Sequence, residues 1–333
     1  MQLELPLPKS PSGMVYRHCP EEGCRPRLFQ LGDFPADVGA IDRPASARRP
    51  ANTNGTTCPY CGRDADDAEF THPADIQSLE DYVAWAATED ISDILEGVGR
   101  DFNRRTRHSG GGLKVKRRYR PKPHAYREDL LRDLTCNLCG RRYRVYAIAL
   151  FCPECGCRNL QVHFRREIDL VESQIRLAQA SSREGHAELA YRLLGNGHED
   201  VLTAFETYLK TVYRFVVRQR TPERWEELCT KRSLGNTFQN VERTRKRFES
   251  LDIHPFAALG EDAVATLRRN IEKRHVVGHN LSMVDEHYAD AAQGKTPGET
   301  VQILTSEVAE FADVCRRVIE RLETTVPELA PGS

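Results

Sequence analysis

The chain has 333 residues, 39% apolar and 29% charged, with a formal net charge of −1. That length suits about two or three domains with packed cores. The composition excludes a bilayer span, because the longest apolar run is only about Tyr146 to Cys152. Met1 to Lys9 carry no apolar stretch of a secretory signal. The expectation is a cytoplasmic protein with no membrane partner. There cysteines stay reduced, and close pairs suggest metal rather than disulfides.

Residues 1–72 read as a first zinc-binding unit with a long loop. It holds Cys19, Cys24, Cys58 and Cys61, and a Pro-, Ala- and Arg-rich stretch from Pro35 to Pro50 separates its halves. Residues 73–128 read as an acidic helix followed by a basic strand. Ile76, Leu79, Val83, Ala86, Ile91, Ile94, Leu95 and Val98 recur at helical spacing and predict a helix over 74–98. Asp64 to Glu96 hold eleven acidic residues and no Lys or Arg. Arg100 to Arg127 hold eleven basic residues and one acidic residue, Asp101. Gly110 to Gly112 break the chain, and Leu113 to Tyr119 are expected as a basic strand that ends before Pro121 and Pro123. Arg104, Arg105, Arg107, Lys114, Lys116, Arg117, Arg118, Arg120 and Lys122 are interleaved with Phe102, Tyr119 and Tyr126. Cations for phosphates and aromatic faces for bases are what a nucleic-acid surface needs. The acidic helix could equally neutralise this block within one molecule, covering it until a trigger arrives.

Residues 129–164 read as a second zinc ribbon. A strand leads into Cys136-Asn-Leu-Cys139-Gly, Tyr143, Val145 and Tyr146 suggest a second strand, and Cys152-Pro-Glu-Cys155-Gly follows. From 165 to 323 the pattern turns to long helices, with a short tail at 324–333. Val201, Phe205, Leu209, Val212 and Val216 form one apolar stripe. Val301, Leu304, Val308, Phe311, Cys315, Val318 and Leu322 form another. Thr221-Pro222 reads as a helix start. The fold class expected is multi-domain α+β, with small four-cysteine zinc units in the N-terminal half and an all-α helical bundle in the C-terminal half.

Eight of the eleven cysteines fall into four close pairs. Cys58/Cys61, Cys136/Cys139 and Cys152/Cys155 have two residues between them, and Gly62, Gly140 and Gly156 follow. Such a glycine lets backbone N–H groups turn toward thiolate sulfur. Chain order assigns Cys136, Cys139, Cys152 and Cys155 to one zinc ion and Cys19, Cys24, Cys58 and Cys61 to another. Cys157 is a spare that can replace Cys155. Cys229 and Cys315 lie on apolar stripes and read as core thiols. A four-cysteine zinc site has no open position for water, so both ions are expected to be structural, with no catalytic metal.

Arg268-Arg-Asn-Ile-Glu-Lys-Arg-His-Val-Val-Gly-His-Asn280 follows a helix carrying Ala263, Val264, Leu267 and Ile271. Arg274 and His279 have four residues between them, and Gly278 is expected to end or distort the helix and turn both side chains toward one pocket. This segment resembles the signature of the HEPN superfamily of helical-bundle ribonucleases: an arginine, a polar residue, then a histidine four to six positions on. Arg274, His275 and His279 match it, although Asn is commoner than His at the second position. Arg269, Asn270 and His275 offer a second register. The helix His198–Arg218 and the final helix Val301–Leu322 resemble the family's setting, over roughly residues 167–323.

The resemblance implies a homodimer that cleaves RNA to 2′,3′-cyclic phosphate and 5′-hydroxyl ends. His279 would be the general acid or base, Arg274 the phosphate clamp, and His275 and Asn280 positioning groups. Glu206 is a candidate to orient Arg274. By analogy the pairing of nuclease and zinc sensor suggests a toxin, stress response or anti-phage defence. The chemistry is sound without metal, since RNA supplies its own 2′-hydroxyl nucleophile and a histidine moves protons near neutral pH. The alternatives are a zinc-ribbon nucleic-acid-binding module whose helical domain only dimerises, and a module that docks on another protein through the acidic helix.

Overall fold

The computed structural model describes residues 9–33, 55–107, 112–116, 128–130, 132–279, 283–284, 286–291, 296–301 and 303–329. It is a mixed α+β structure, with small sheets and cysteine clusters in the N-terminal half and helices in the C-terminal half. Among the described residues no helix is long and apolar enough to cross a membrane.

The strands are β1 (Val15–His18), β2 (Leu28–Leu31), β3 (Gly55–Thr57), β4 (Asp64–Asp66), β5 (Arg132–Thr135) and β6 (Arg142–Val145). Strands from both cysteine-bearing segments join in one antiparallel sheet of order β1-β2-β6-β5, while β3 and β4 form a separate ribbon. Period-two alternation explains the joint. Phe29 faces Val145 across β2 and β6, and Tyr143 lies between Leu31 and Leu134. All five are buried. The neighbouring positions carry Arg144, 2.9 Å from Asp133 and 3.0 Å from Asp129, and Arg142, 3.0 Å from Asp133. The buried face packs with Tyr60, Phe70 and the cysteines of both groups in one cluster.

Helix α1 (Pro73–Arg105) is longer than the 74–98 expected. Pro73 sits at its first turn, and His72 Nδ1 accepts the Ala74 N–H at 3.0 Å. Among the described residues nothing covers its apolar stripe: Ile76, Val83, Ile91, Ile94, Leu95, Val98 and Phe102 are all exposed. The expected strand from Leu113 does not form among the described residues; 112–116 are irregular. They are held to α1 instead. The Asn103 side chain accepts from Leu113 N–H at 2.7 Å and donates to Leu113 O at 2.9 Å. Val115 presses on Gly99, where an added Cβ would come within 2.9 Å of it.

The C-terminal half contains α2 (Leu160–Arg183), α3 (Ala187–Arg220), α4 (Trp225–Leu228), α5 (Lys231–Leu234), α6 (Val241–Glu249), α7 (Glu261–His279), α8 (Glu286–Ala291) and α9 (Thr305–Thr325). The long helices α2, α3, α7 and α9 pack on one another. Helix α3 starts eleven residues before His198, because Gly195 and Gly197 do not break it. Gly197 instead allows close approach to α2: a Cβ there would lie 3.1 Å from Gln174 Oε1. Thr221-Pro222 does open a new turn, a short 3₁₀ segment leading into α4. Helix α9 begins at Thr305 rather than Val301, where Glu307 accepts the Leu304 N–H at 3.0 Å.

The bundle core runs into the second ribbon. Ile148, Leu150 and Phe151 belong to it, and Phe151 meets Phe215 edge to face at 5.4 Å. Arg158 donates to Glu323 O at 2.6 Å and Arg166 to Asp133 O at 3.0 Å, so polar contacts tie the two halves as well.

Two candidate metal centres and an arginine–histidine helix

Three knuckles share one hydrogen-bond pattern. The N–H of Cys58 donates to Arg63 O, that of Cys136 to Arg141 O and that of Cys152 to Cys157 O. Gly62, Gly140 and Gly156 each donate back to the first cysteine's carbonyl. All three glycines have positive φ, 75°, 72° and 67°, which an L side chain resists. At Gly62 space matters too, since a Cβ would lie 2.9 Å from the Phe151 ring. The Cys19/Cys24 pair is built differently: Cys19 N–H reaches Arg27 O across the β1–β2 hairpin.

These turns bring the cysteines together as the spacing predicts. Cys19, Cys24, Cys58 and Cys61 form one group and Cys136, Cys139, Cys152 and Cys155 the other, with sulfurs within 4.8 Å of one another in each. Sulfur pairs stand 3.7 and 3.8 Å apart in the first group and 3.6 and 3.9 Å in the second. Four sulfurs at about 2.3 Å from a tetrahedral zinc are about 3.8 Å apart. The donor set and spacing therefore fit a zinc ion in each group. All the thiols are buried except Cys61, which is partly exposed. Hydrogen bonds from Cys19, Cys24 and Cys58 hold the Cys61 thiol far below the usual range, and those from Cys139, Cys152 and Cys155 do the same for Cys136. Burial pushes Cys58 and Cys152 well up. A divalent cation would let all four thiols of each group ionise. Cys157 Sγ lies 3.1 Å from Cys155 Sγ, beside the second group rather than in it.

Helix α7 carries the arginine–histidine motif on its C-terminal turns. It is helical through Gly278 to His279, the last residue described before 283. The side chains of His275 and His279, and Asn280 entirely, lie outside the described residues. Arg274 is half-buried, and its Nε and Nη2 donate to Glu199 Oε1 on α3 at 3.3 and 3.2 Å. Glu206, expected to orient Arg274, is not its partner. It lies two turns further along α3 and accepts from Gln239 at 2.8 Å.

The inward face of α7 holds polar groups that sequence reading missed. Asn270 is buried and donates to Thr266 O at 2.9 Å, which leaves its Oδ1 facing His198 Nε2 at 3.0 Å. His198 stacks on Phe311 of α9. Burial lowers the His198 pKa below its ordinary value, with Asn270 opposing. Lys273, also buried, meets Glu307 at 2.7 Å. Burial disfavours the Glu307 carboxylate, but Lys273 and the Leu304 N–H outweigh it and hold the carboxyl below its usual range. Thr266, Asn270 and Lys273 recur at steps of four and three, the one signal that could have marked this face.

Of the expected basic block, Arg104, Arg105, Arg107, Lys114 and Lys116 are exposed on the end of α1 and the segment beyond it. Arg117, Arg118, Arg120 and Lys122 lie outside the described residues, as does the Pro35–Pro50 loop. No family model, curated protein or solved structure matches the chain.

Proposed function

We propose that this protein is a metal-independent endoribonuclease of the HEPN type, with the zinc units serving RNA or partner recognition. The observation that carries the reading is the placing of Arg274 at a half-buried position on a bundle helix whose last described residue is His279. Glu199 holds two of the guanidinium donors with one carboxylate oxygen, which fixes the plane of the fork. Arg274 would clamp the scissile phosphate and stabilise the charge of the phosphorane, while His279 moves the proton. His275 and Asn280 would position the substrate. Residues five apart on a regular helix differ by about 140° around the axis. Arg274 and His279 of one helix therefore serve a shared site best when a second copy brings its own motif opposite, and the reading includes a homodimer.

The test compares wild type with Arg274→Ala on a labelled single-stranded RNA. Cleavage by the wild type and retained binding without cleavage by the variant are expected. Equal cleavage by both would remove Arg274 from the chemistry.

A second reading, a non-catalytic interaction module, is favoured by the apolar stripe of α1, which is exposed among the described residues. It predicts no cleavage by folded, zinc-loaded wild type.

A further inference from the structure

A cleft of about 530 Å³ lies where the first zinc knuckle meets α3 and α4, away from the arginine–histidine motif. Its lining includes Arg25, Arg214, Arg218, Tyr60, Phe215 and Trp225, together with Cys24 and Cys61 of the first metal group, and no Asp or Glu. Among the described residues the three arginines are bound only to neutral acceptors. Arg25 donates to the carbonyls of Glu22 and Cys24 at 2.6 and 2.7 Å, Arg214 to Cys229 O at 3.4 Å, and Arg218 to Gly23 O at 2.8 Å. Arg214 Nε is buried and has no hydrogen-bond partner among the described residues. The Arg218 guanidinium lies 4.9 Å from the centroid of the Trp225 ring.

A second cleft, of about 670 Å³, also contains two arginines, Arg245 and Arg268, but both are engaged by Glu242. A zinc ion with four thiolates carries two negative charges, so Cys24 and Cys61 offset part of the charge of the three arginines; the positive excess that remains is relieved by an anion. The positive field also reaches the adjoining core: burial raises the Cys229 thiol to about 11, while Arg214, Arg218 and Arg247 pull against it.

We propose that this cleft binds single-stranded nucleic acid, with a backbone phosphate held by Arg25, Arg214 and Arg218 and a base stacked against Trp225. The volume falls in the range of small-ligand sites, about 300–1,000 Å³. Arginine forks match phosphate oxygens, and an aromatic face takes any base. Arg25 is exposed at the rim, so a strand can enter and leave. The cleft deepens the RNA-recognition part of the reading above and does not depend on cleavage by the motif on α7.

The chain has two tryptophans, so Trp85→Phe leaves Trp225 as the sole indole reporter. The full-length, zinc-loaded protein is titrated with a 2′-O-methyl oligouridylate, which a 2′-hydroxyl-dependent nuclease cannot cut. Quenching of Trp225 is expected. Arg25→Glu, checked for two zinc ions per chain, should weaken binding at least fivefold. It should also reduce the log–log salt slope by about 0.7, the loss of one single-strand phosphate contact. Binding without change at Trp225, or unaltered by Arg25→Glu, would overturn the assignment. So would equal quenching by polyglutamate, which would mark the cleft as a site for acidic protein. Because the analogue is uncleavable, failure of the nuclease reading would leave this result standing.

Discussion

Replacing Cys152 by serine should unfold the N-terminal half rather than loosen it. Cys152 is fully buried and its Sγ stands 3.6 Å from that of Cys139, an edge of the tetrahedron. Four-cysteine zinc supplies roughly 10–16 kcal/mol in small peptides, as much as the whole stability of a typical domain, about 5–15 kcal/mol. The knuckle is also the floor on which Leu150 and Phe151 enter the bundle core, and Phe151 lies against Phe215. Loss of this ion should therefore strip protection from β2 and β6 and lower the melting temperature of the helices too. Zinc released on denaturation, read with a chromogenic chelator, should fall from two ions per chain to one. Hydrogen exchange should show Phe29–Leu31 and Tyr143–Val145 opening. Cys157→Ser should keep both ions, because the ligand set closes without it. A zinc-poor Cys152→Ser protein with the sheet still protected would refute the claim that metal holds this half together.

Three further outcomes follow from the α7 contacts. Asn270→Leu leaves the buried His198 Nε2–H without its partner and should cost about 1–3 kcal/mol, read as a lower denaturation midpoint; an unchanged midpoint would show the pair is not structural. Glu199→Ala removes a partly exposed ion pair, worth less than about 1 kcal/mol in stability. It should nonetheless lower kcat with little change in KM if Glu199 orients Arg274, whereas a change in neither would make the pair incidental. His198 keeps its proton off when folded, because burial lowers its pKa, while the unfolded imidazole protonates as pH falls through about 6.5. Stability should be full above that pH and decline below it, and His163, lowered by burial, adds in the same sense. His198→Gln should flatten part of that slope relative to wild type at matched zinc content; an unaltered slope would contradict the assignment.

The metal groups were legible because each knuckle is local. At three of the four, two cysteines, two intervening residues and a glycine fix one turn, and the structure brings the eight cysteines into the two predicted groups. The union of the two units in one sheet was not legible, since the β2–β6 pairing joins residues over a hundred positions apart. Helix α3 extends eleven residues before the expected start at His198, and Gly197 within it allows close packing on α2. The polar face of α7 was hidden for a related reason. Asn270 and Lys273 look like surface residues until α3 and α9 supply His198 and Glu307. Glu199 and Glu206 are both acidic positions on α3, and only the three-dimensional structure separates the partner of Arg274 from that of Gln239. The arginine cleft gathers Arg25 with Arg214 and Arg218, and no sequence window contains them together.

The measurement that bears most directly on the proposed activity is cleavage of total RNA by purified, zinc-loaded protein beside His279→Ala, with EDTA present briefly enough to leave two zinc ions per chain. The account predicts cleavage by the wild type alone, leaving 2′,3′-cyclic phosphate and 5′-hydroxyl ends. Cleavage by both proteins, or products ending in 3′-hydroxyl groups, would contradict it.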